Sequence, residues 1–198
     1  MKTKILERAY EALRNMQFSL TNYKKTNDEN KIVYLRNFIT TGRSVTFIIQ
    51  NLKSHVGKDN FEYWYQPWQN KMSNDEILTT FKNLRNEIEK QGKLDTYLTA
   101  HIEHLSSNDL QPLLENPPHN ATSFFVGDQI GGSGWEIDYD NGITEKIYVE
   151  LPKEVKMTIN FEIVDLLDLE NDMTTIKMLE YYYDYLSSIY TDAKKTFL

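Results

Sequence analysis

The first half of the chain is patterned for helices. Within residues 4–23, Ile5, Leu6, Ala9, Ala12, Leu13, Met16 and Leu20 recur at the helical period and predict one amphipathic helix. The polar run Thr26–Asn30 reads as a connector, with Asn and Asp residues suited to cap the next helix. Residues 30–54 carry Leu35, Phe38, Gly42, Val45, Ile49 and Leu52 at alternating spacings of three and four, a second helix. Gly42 lies on that apolar stripe, which predicts a close helix crossing rather than a break. Residues 55–60 read as a loop. The aromatic run Phe61–Trp68 reads as a short core-lining helix, interrupted or begun at Pro67 because proline lacks an N–H. A base-stacking platform is the alternative for these aromatics. Ile77, Phe81, Leu84 and Ile88 then mark a helix over 75–91. Ser73–Glu76 offers its N-terminal cap and Gly92 its stop. Helices joined by short links favour an antiparallel bundle.

After Gly92 the period changes from helical to alternating. Residues 96–104 read as a strand, 108–120 as irregular because of Pro112, Pro117 and Pro118, and 123–130 as a strand. Trp135, Ile137 and Tyr139 alternate with acidic residues, and Asp140-Asn141-Gly142 separates them from a second arm at 145–151, a hairpin signal. Residues 155–164 supply another strand, so a four- or five-stranded antiparallel sheet is expected. Residues 165–172 read as an acidic connector. In the last segment, 173–197, Ile176, Leu179, Tyr183, Leu186, Tyr190, Ala193 and Phe197 predict a closing helix. The fold class is α+β, divided as a helical bundle (1–95), a β-sheet insertion (96–165) and a C-terminal helix packed on the bundle (166–198).

Composition narrows the chemistry. The 198 residues include no cysteine, which excludes disulfides, thiolate nucleophiles and sulfur-bound zinc. No segment approaches the roughly 20 apolar residues needed to span a bilayer, so a soluble cytoplasmic protein without a membrane partner is expected. The net charge of −7 hides an asymmetry, +6 over residues 1–93 against −13 over 94–198. That split fits an anion-facing first half, two mutually attracting halves, or simply two solvated surfaces.

Three constellations stand out. Arg85-Asn86, in the last turns of the 75–91 helix, resembles the opening of the motif of HEPN domains, a broad family of helical bundles that includes metal-independent ribonucleases. That motif continues to a histidine four to six residues beyond the arginine, where this chain has Lys90, Gln91 and Gly92. The resemblance implies a HEPN-like bundle, with Arg85 and Asn86 in the catalytic positions and Arg85 suited to hold a phosphate through its planar fork. An intrahelical pair between Arg85 and Glu89 is the structural alternative. Arg36, Arg43 and Gln50 lie seven apart beside the apolar seam, so Arg36 and Arg43 are candidates for an anion-binding groove or for ion pairs flanking a helix contact. The segment 127–135 places Asp128, Gly131, Gly132, Gly134 and Trp135 in a glycine-rich stretch, either a ligand-binding loop with exposed amides or a wide β-turn. His101 and His104 fall on opposite faces of a strand, and Asp165, Asp168, Glu170 and Asp172 lack the pattern of a calcium loop, so no metal and no cofactor are expected.

From the sequence the leading function is a non-catalytic HEPN-like interaction module, a homodimer binding an RNA or protein partner. The tyrosine-rich run Tyr181-Tyr182-Tyr183-Asp184-Tyr185 supports it, because such a helix buries more than one face. The alternatives are a metal-independent endoribonuclease using Arg85 and Asn86, with His55 or a partner's histidine completing the set, and small-ligand binding at the Gly131–Gly134 loop.

Overall fold

The computed structural model describes residues 1–198 except 129–131, 153–154, 168 and 170–172, and in it the chain is α+β. Gly131, Asp168, Glu170 and Asp172 therefore lie outside the described residues, as does the side chain of His104. The chain divides into two compact units. One combines Met1–Thr96 with Ile163–Leu198, and the other is Tyr97–Glu162.

The first unit is helical. It contains α1 (Lys2–Lys25), α2 (Lys31–Gln50), α3 (Lys53–Val56), α4 (Lys58–Asn74), α5 (Glu76–Gln91), α7 (Val164–Leu167) and α8 (Thr175–Phe197). Here α1 packs along α2, and α8 lies against α1, α2 and α5. Every apolar residue of the predicted α1 stripe is buried, as are Leu35, Phe38, Val45 and Ile49 of α2. Gly42 makes the crossing its place on the stripe predicts. A methyl group there would come within 2.5 Å of the Tyr182 ring, so α8 approaches α2 through the space a side chain would fill. That ring stacks on Phe81 of α5 at 4.5 Å and meets Phe38 of α2 edge-on. One aromatic side chain thus ties three helices together.

The ends of α5 follow the local sequence. Asp75 caps it, one carboxylate oxygen accepting from the Leu78 amide at 3.0 Å. The other oxygen accepts from the Tyr181 hydroxyl at 2.5 Å, which docks α8 on the same cap. Gly92 takes φ 66°, a left-handed stop that a residue with a side chain adopts at a cost.

Four sequence readings need correction in this unit. Two are simple extensions of helix, since residues 55–60, expected as a loop, are helical apart from Gly57, and the connector expected at 165–172 begins within α7. Third, α4 runs uninterrupted through Pro67. The bond that proline deletes falls at Tyr63, a residue 89% exposed, which places the break on the solvent face of α4 rather than in the core. Fourth, the buried stripe of α8 is rotated from the expected one. It is formed by Met178, Leu179, Tyr182, Tyr185, Leu186, Ile189 and Ala193, while Tyr183 and Tyr190 are only half-buried. Contact with several helices widened the buried face beyond a single stripe. Within it, Trp64 and Trp68 of α4, four residues apart, both donate to the Asp192 carboxylate of α8, at 2.8 and 3.0 Å.

The second unit contains β1 (Thr96–His104), α6 (Ser107–Leu114), β2 (Ala121–Val126), β3 (Ser133–Asp138), β4 (Thr144–Val149) and β5 (Lys156–Ile163), except for the first residue of β1 and the last of β5, which fall in the first unit. The strands form two sheets rather than the one expected: β1 pairs with β5, and β2-β3-β4 make an antiparallel meander. Alternation fixes which residues share a face but not which strands pair. The hairpin turn stands where Asn141-Gly142 places it, with Gly142 at φ 78°. The segment expected to be irregular contains α6, because Ser106 and Asp109 form a reciprocal capping box that the prolines obscure. Among the described residues no helix is long and apolar enough to cross a membrane.

Two outcomes are expected. Gly42→Ala should lower the unfolding free energy by about 1–3 kcal/mol in urea denaturation, since the added methyl overpacks the Tyr182 ring. The hydrogen bond to Asp75 pushes the Tyr181 phenol up to about 12 from its ordinary 10.0. A group whose folded pKa is raised contributes stability that is complete below the unfolded value and disappears as pH rises through the folded one. Stability should therefore fall between pH 10 and 12, and Tyr181→Phe should flatten part of that fall. Tyr182 and Tyr185, pushed up chiefly by burial, keep the remainder.

Candidate functional site

The helical unit contains a cavity of about 460 Å³ between α2, α4, α5 and α8. Helix packing sets its walls. Tyr182 of α8 and Phe61 and Tyr65 of α4 form aromatic walls, Leu78 and Leu186 add apolar surface, and Arg43, Gln50, Lys53 and Lys82 bring the polar groups.

Arg43 is the cation best placed to meet a ligand. Its guanidinium lies over the Phe47 ring at 4.3 Å and makes a 3.3 Å hydrogen bond to the Thr46 hydroxyl, which leaves most of its N–H groups free of protein partners among the described residues. Gln50, two turns further along α2, donates to the Tyr65 oxygen at 3.3 Å, so the Tyr65 proton stays free to be donated. The Tyr182 hydroxyl has no hydrogen-bond partner among the described residues. It is not sealed off either: Arg85 Nε is the one fully buried side-chain polar atom without a partner among them. Burial pushes both phenols up, Tyr182 strongly, and the charge of Arg43 partly opposes this at each. Both remain protonated donors near neutral pH. At the rim, Lys53 pairs with Glu62 at 2.6 Å, and that bond holds the Glu62 carboxyl below its usual range. The cavity lining includes no histidine.

The residues singled out from sequence are dispersed. Arg36 donates to the Gly92 carbonyl at 2.9 Å and so serves the C-terminal end of α5. Arg85 pairs with Glu89 at 2.5 Å, donates to Asn86 Oδ1 at 3.1 Å and lies 5.6 Å from the Phe47 ring. Arg43 and Arg85 thus flank one aromatic ring, but only Arg43 lines the cavity. His55 sits in α3 beside the Ser54 hydroxyl at 2.7 Å, outside the cavity lining. Of the residues singled out from sequence, Arg43 and its heptad partner Gln50 line the cavity. Tyr65, Tyr182, Lys53 and Lys82 also line it and are not singled out as site residues from sequence, because their convergence depends on helix packing. The position of Tyr65 in an aromatic run and of Tyr182 in a tyrosine run was the available signal.

In the second unit the glycine-rich stretch is organised by Asp128. Its carboxylate accepts from the Gly132 amide at 3.0 Å, from Lys146 at 3.2 Å and from the Tyr148 hydroxyl at 2.7 Å. A side chain at Gly132 would strike the Tyr148 ring at 2.4 Å, and one at Gly134 the Ile147 carbonyl at 2.0 Å. These glycines let β3 and the loop lie close on β4. Trp135 is buried and meets Phe124 edge-on at 4.9 Å. Among the described residues no group of three or more His, Asp or Glu side chains is placed to hold a metal.

Asp128→Ala should destabilise this unit by about 1–2 kcal/mol through its lost hydrogen bonds. Faster hydrogen exchange at the Gly132 amide is the direct check.

The model of the bacteriophage lambda protein ea47 family matches residues 9–126, from α1 through β2. Protein ea47 of Escherichia phage lambda is 39% identical over 86 aligned residues, which cover 39% of this chain and 20% of that protein. The chain thus spans about a fifth of the length of that relative. No solved structure matches the chain. The match replaces the HEPN resemblance, which rested on two adjacent residues and lacked the histidine, and the roles it implied for Arg85 and Asn86 lose their basis with it. With more than half of its residues matched, the chain belongs to the bacteriophage lambda protein ea47 family.

Proposed function

We propose that the helical unit is a non-catalytic binding module that receives an anionic oxygen group in the cavity between α2, α4, α5 and α8. The observation that carries this reading is the convergence of the little-used Arg43 guanidinium with two protonated phenols, Tyr65 and Tyr182, on one concave surface. A guanidinium and neutral O–H donors are what an oxyanion requires, and a charge-assisted hydrogen bond is about twice as strong as a neutral one. General acid–base turnover uses a group that gives or takes a proton near neutral pH. The lining offers no histidine, and its Glu62 carboxylate is committed to Lys53. That combination supports binding over catalysis.

Inorganic phosphate should raise the melting temperature more than chloride at matched ionic strength, because a ligand that binds only the folded state stabilises it by mass action. Arg43→Gln should remove most of that difference while leaving the melting temperature in chloride nearly unchanged. An identical phosphate effect in wild type and Arg43→Gln would overturn the reading.

A further inference from the structure

Charge and wall composition narrow the ligand further, on the footing that the cavity binds an oxyanion. Its lining carries three cations, Arg43, Lys53 and Lys82, and one anion, Glu62, a formal surplus of two positive charges. Lys53 and Glu62 largely satisfy one another at 2.6 Å, which leaves Arg43 and Lys82 to face the ligand. Lys82 is exposed on α5, with no ion pair or hydrogen bond among the described residues, and stands at the rim. Two uncompensated cations match a group bearing two negative charges. A carboxylate or a sulfate ester offers one, whereas a phosphomonoester carries about −1.5 to −2 at pH 7 and three acceptor oxygens. The donors available for three oxygens are the Arg43 fork, the Tyr65 and Tyr182 hydroxyls and the Lys82 ammonium.

The other walls offer more than a bare ion would use. Phe61, Met72, Leu78 and Leu186 line the same space, and Phe61 stacks on Tyr65 at 5.2 Å. Such a surface takes an apolar or planar body, and its contact with the ligand adds affinity in proportion to the apolar area covered. The 460 Å³ of the cavity falls within the range of small-molecule sites and is too small for a folded partner. We infer that the cavity takes a free, small organic phosphomonoester, its phosphate on Arg43, Tyr65, Tyr182 and Lys82 and its organic body against Phe61, Met72 and Leu78.

Calorimetric titration of the full chain with phenyl phosphate, phenyl sulfate, benzoate and inorganic phosphate tests this. At pH 7.5 phenyl phosphate should bind about tenfold more tightly than each of the other three, a difference of one decade in Kd. The titratable and charged groups facing the ligand are Arg43, Lys53, Glu62, Tyr65, Lys82 and Tyr182, with no histidine among them. The ligand's own second proton, with a pKa of about 6, should therefore govern the pH profile. Affinity for phenyl phosphate should drop about tenfold from pH 7.5 to 5, and that for phenyl sulfate should stay level. Lys82→Gln, at an exposed position, should narrow the gap between the two esters with a near-native melting temperature. Phe61→Leu should cut the phenyl advantage over inorganic phosphate while lowering the melting temperature, because Phe61 is buried. Equal affinity for the phosphate and sulfate esters would overturn the dianion assignment while leaving an Arg43-dependent anion site in place. A phosphotyrosine peptide that binds more tightly than phenyl phosphate would overturn the assignment to a free ligand. Failure of all four probes, with no difference between wild type and Arg43→Gln, would remove the anion site itself.

Discussion

The helical unit depends on one aromatic ring seated against a glycine. Tyr182 occupies the space left by the missing side chain of Gly42, stacks on Phe81 and meets Phe38 edge-on, so α2, α5 and α8 share a single contact. Dense packing of this kind transmits any change in volume to all three helices. The same placement brings a phenol to the edge of the cavity with no hydrogen-bond partner for its oxygen among the described residues. Structure and candidate chemistry meet at one residue: the ring is held by the core, and the same residue lines the cavity.

Neighbouring polar groups are sorted by whether a partner lies within reach. Arg36 is consumed by the end of α5, Arg85 by Glu89 and Asn86, and Asp192 by two indoles. In the other unit Asp128 is consumed by an amide, a lysine and a tyrosine. Arg43 is distinguished by what it lacks. It rests on Phe47, touches one hydroxyl, lines the cavity, and has most of its N–H groups without protein partners among the described residues. A guanidinium held over an aromatic face is oriented without losing its hydrogen-bonding capacity, and this favours planar recognition of an oxyanion.

Lambda protein ea47 is about five times the length this chain spans in it. The family match covers α1 through β2 and stops short of α8, which supplies Tyr182 and Leu186 to the cavity. The cavity therefore combines residues inside and outside the matched segment. Arg43, Tyr65 and Lys82 fall within it, and the wall from α8 does not.

The sequence by itself determined the helices α1, α2 and α5, a cap within Ser73–Glu76, the stop at Gly92, the hairpin at Gly142 and the close crossing at Gly42. Each depends on periodicity or on backbone chemistry local to a few residues. It also drew attention to Arg43 and Gln50 through their heptad spacing. Only the tertiary structure decided that the strands form two sheets, that α4 continues through Pro67, that α8 buries Tyr182 and Tyr185 rather than Tyr183 and Tyr190, and that Arg43 rather than Arg85 faces a cavity. The physical reason is the same in each case. Pairing, helix rotation and the freedom of a charged side chain are fixed by neighbours distant in sequence, and no local pattern encodes the partner that another segment brings.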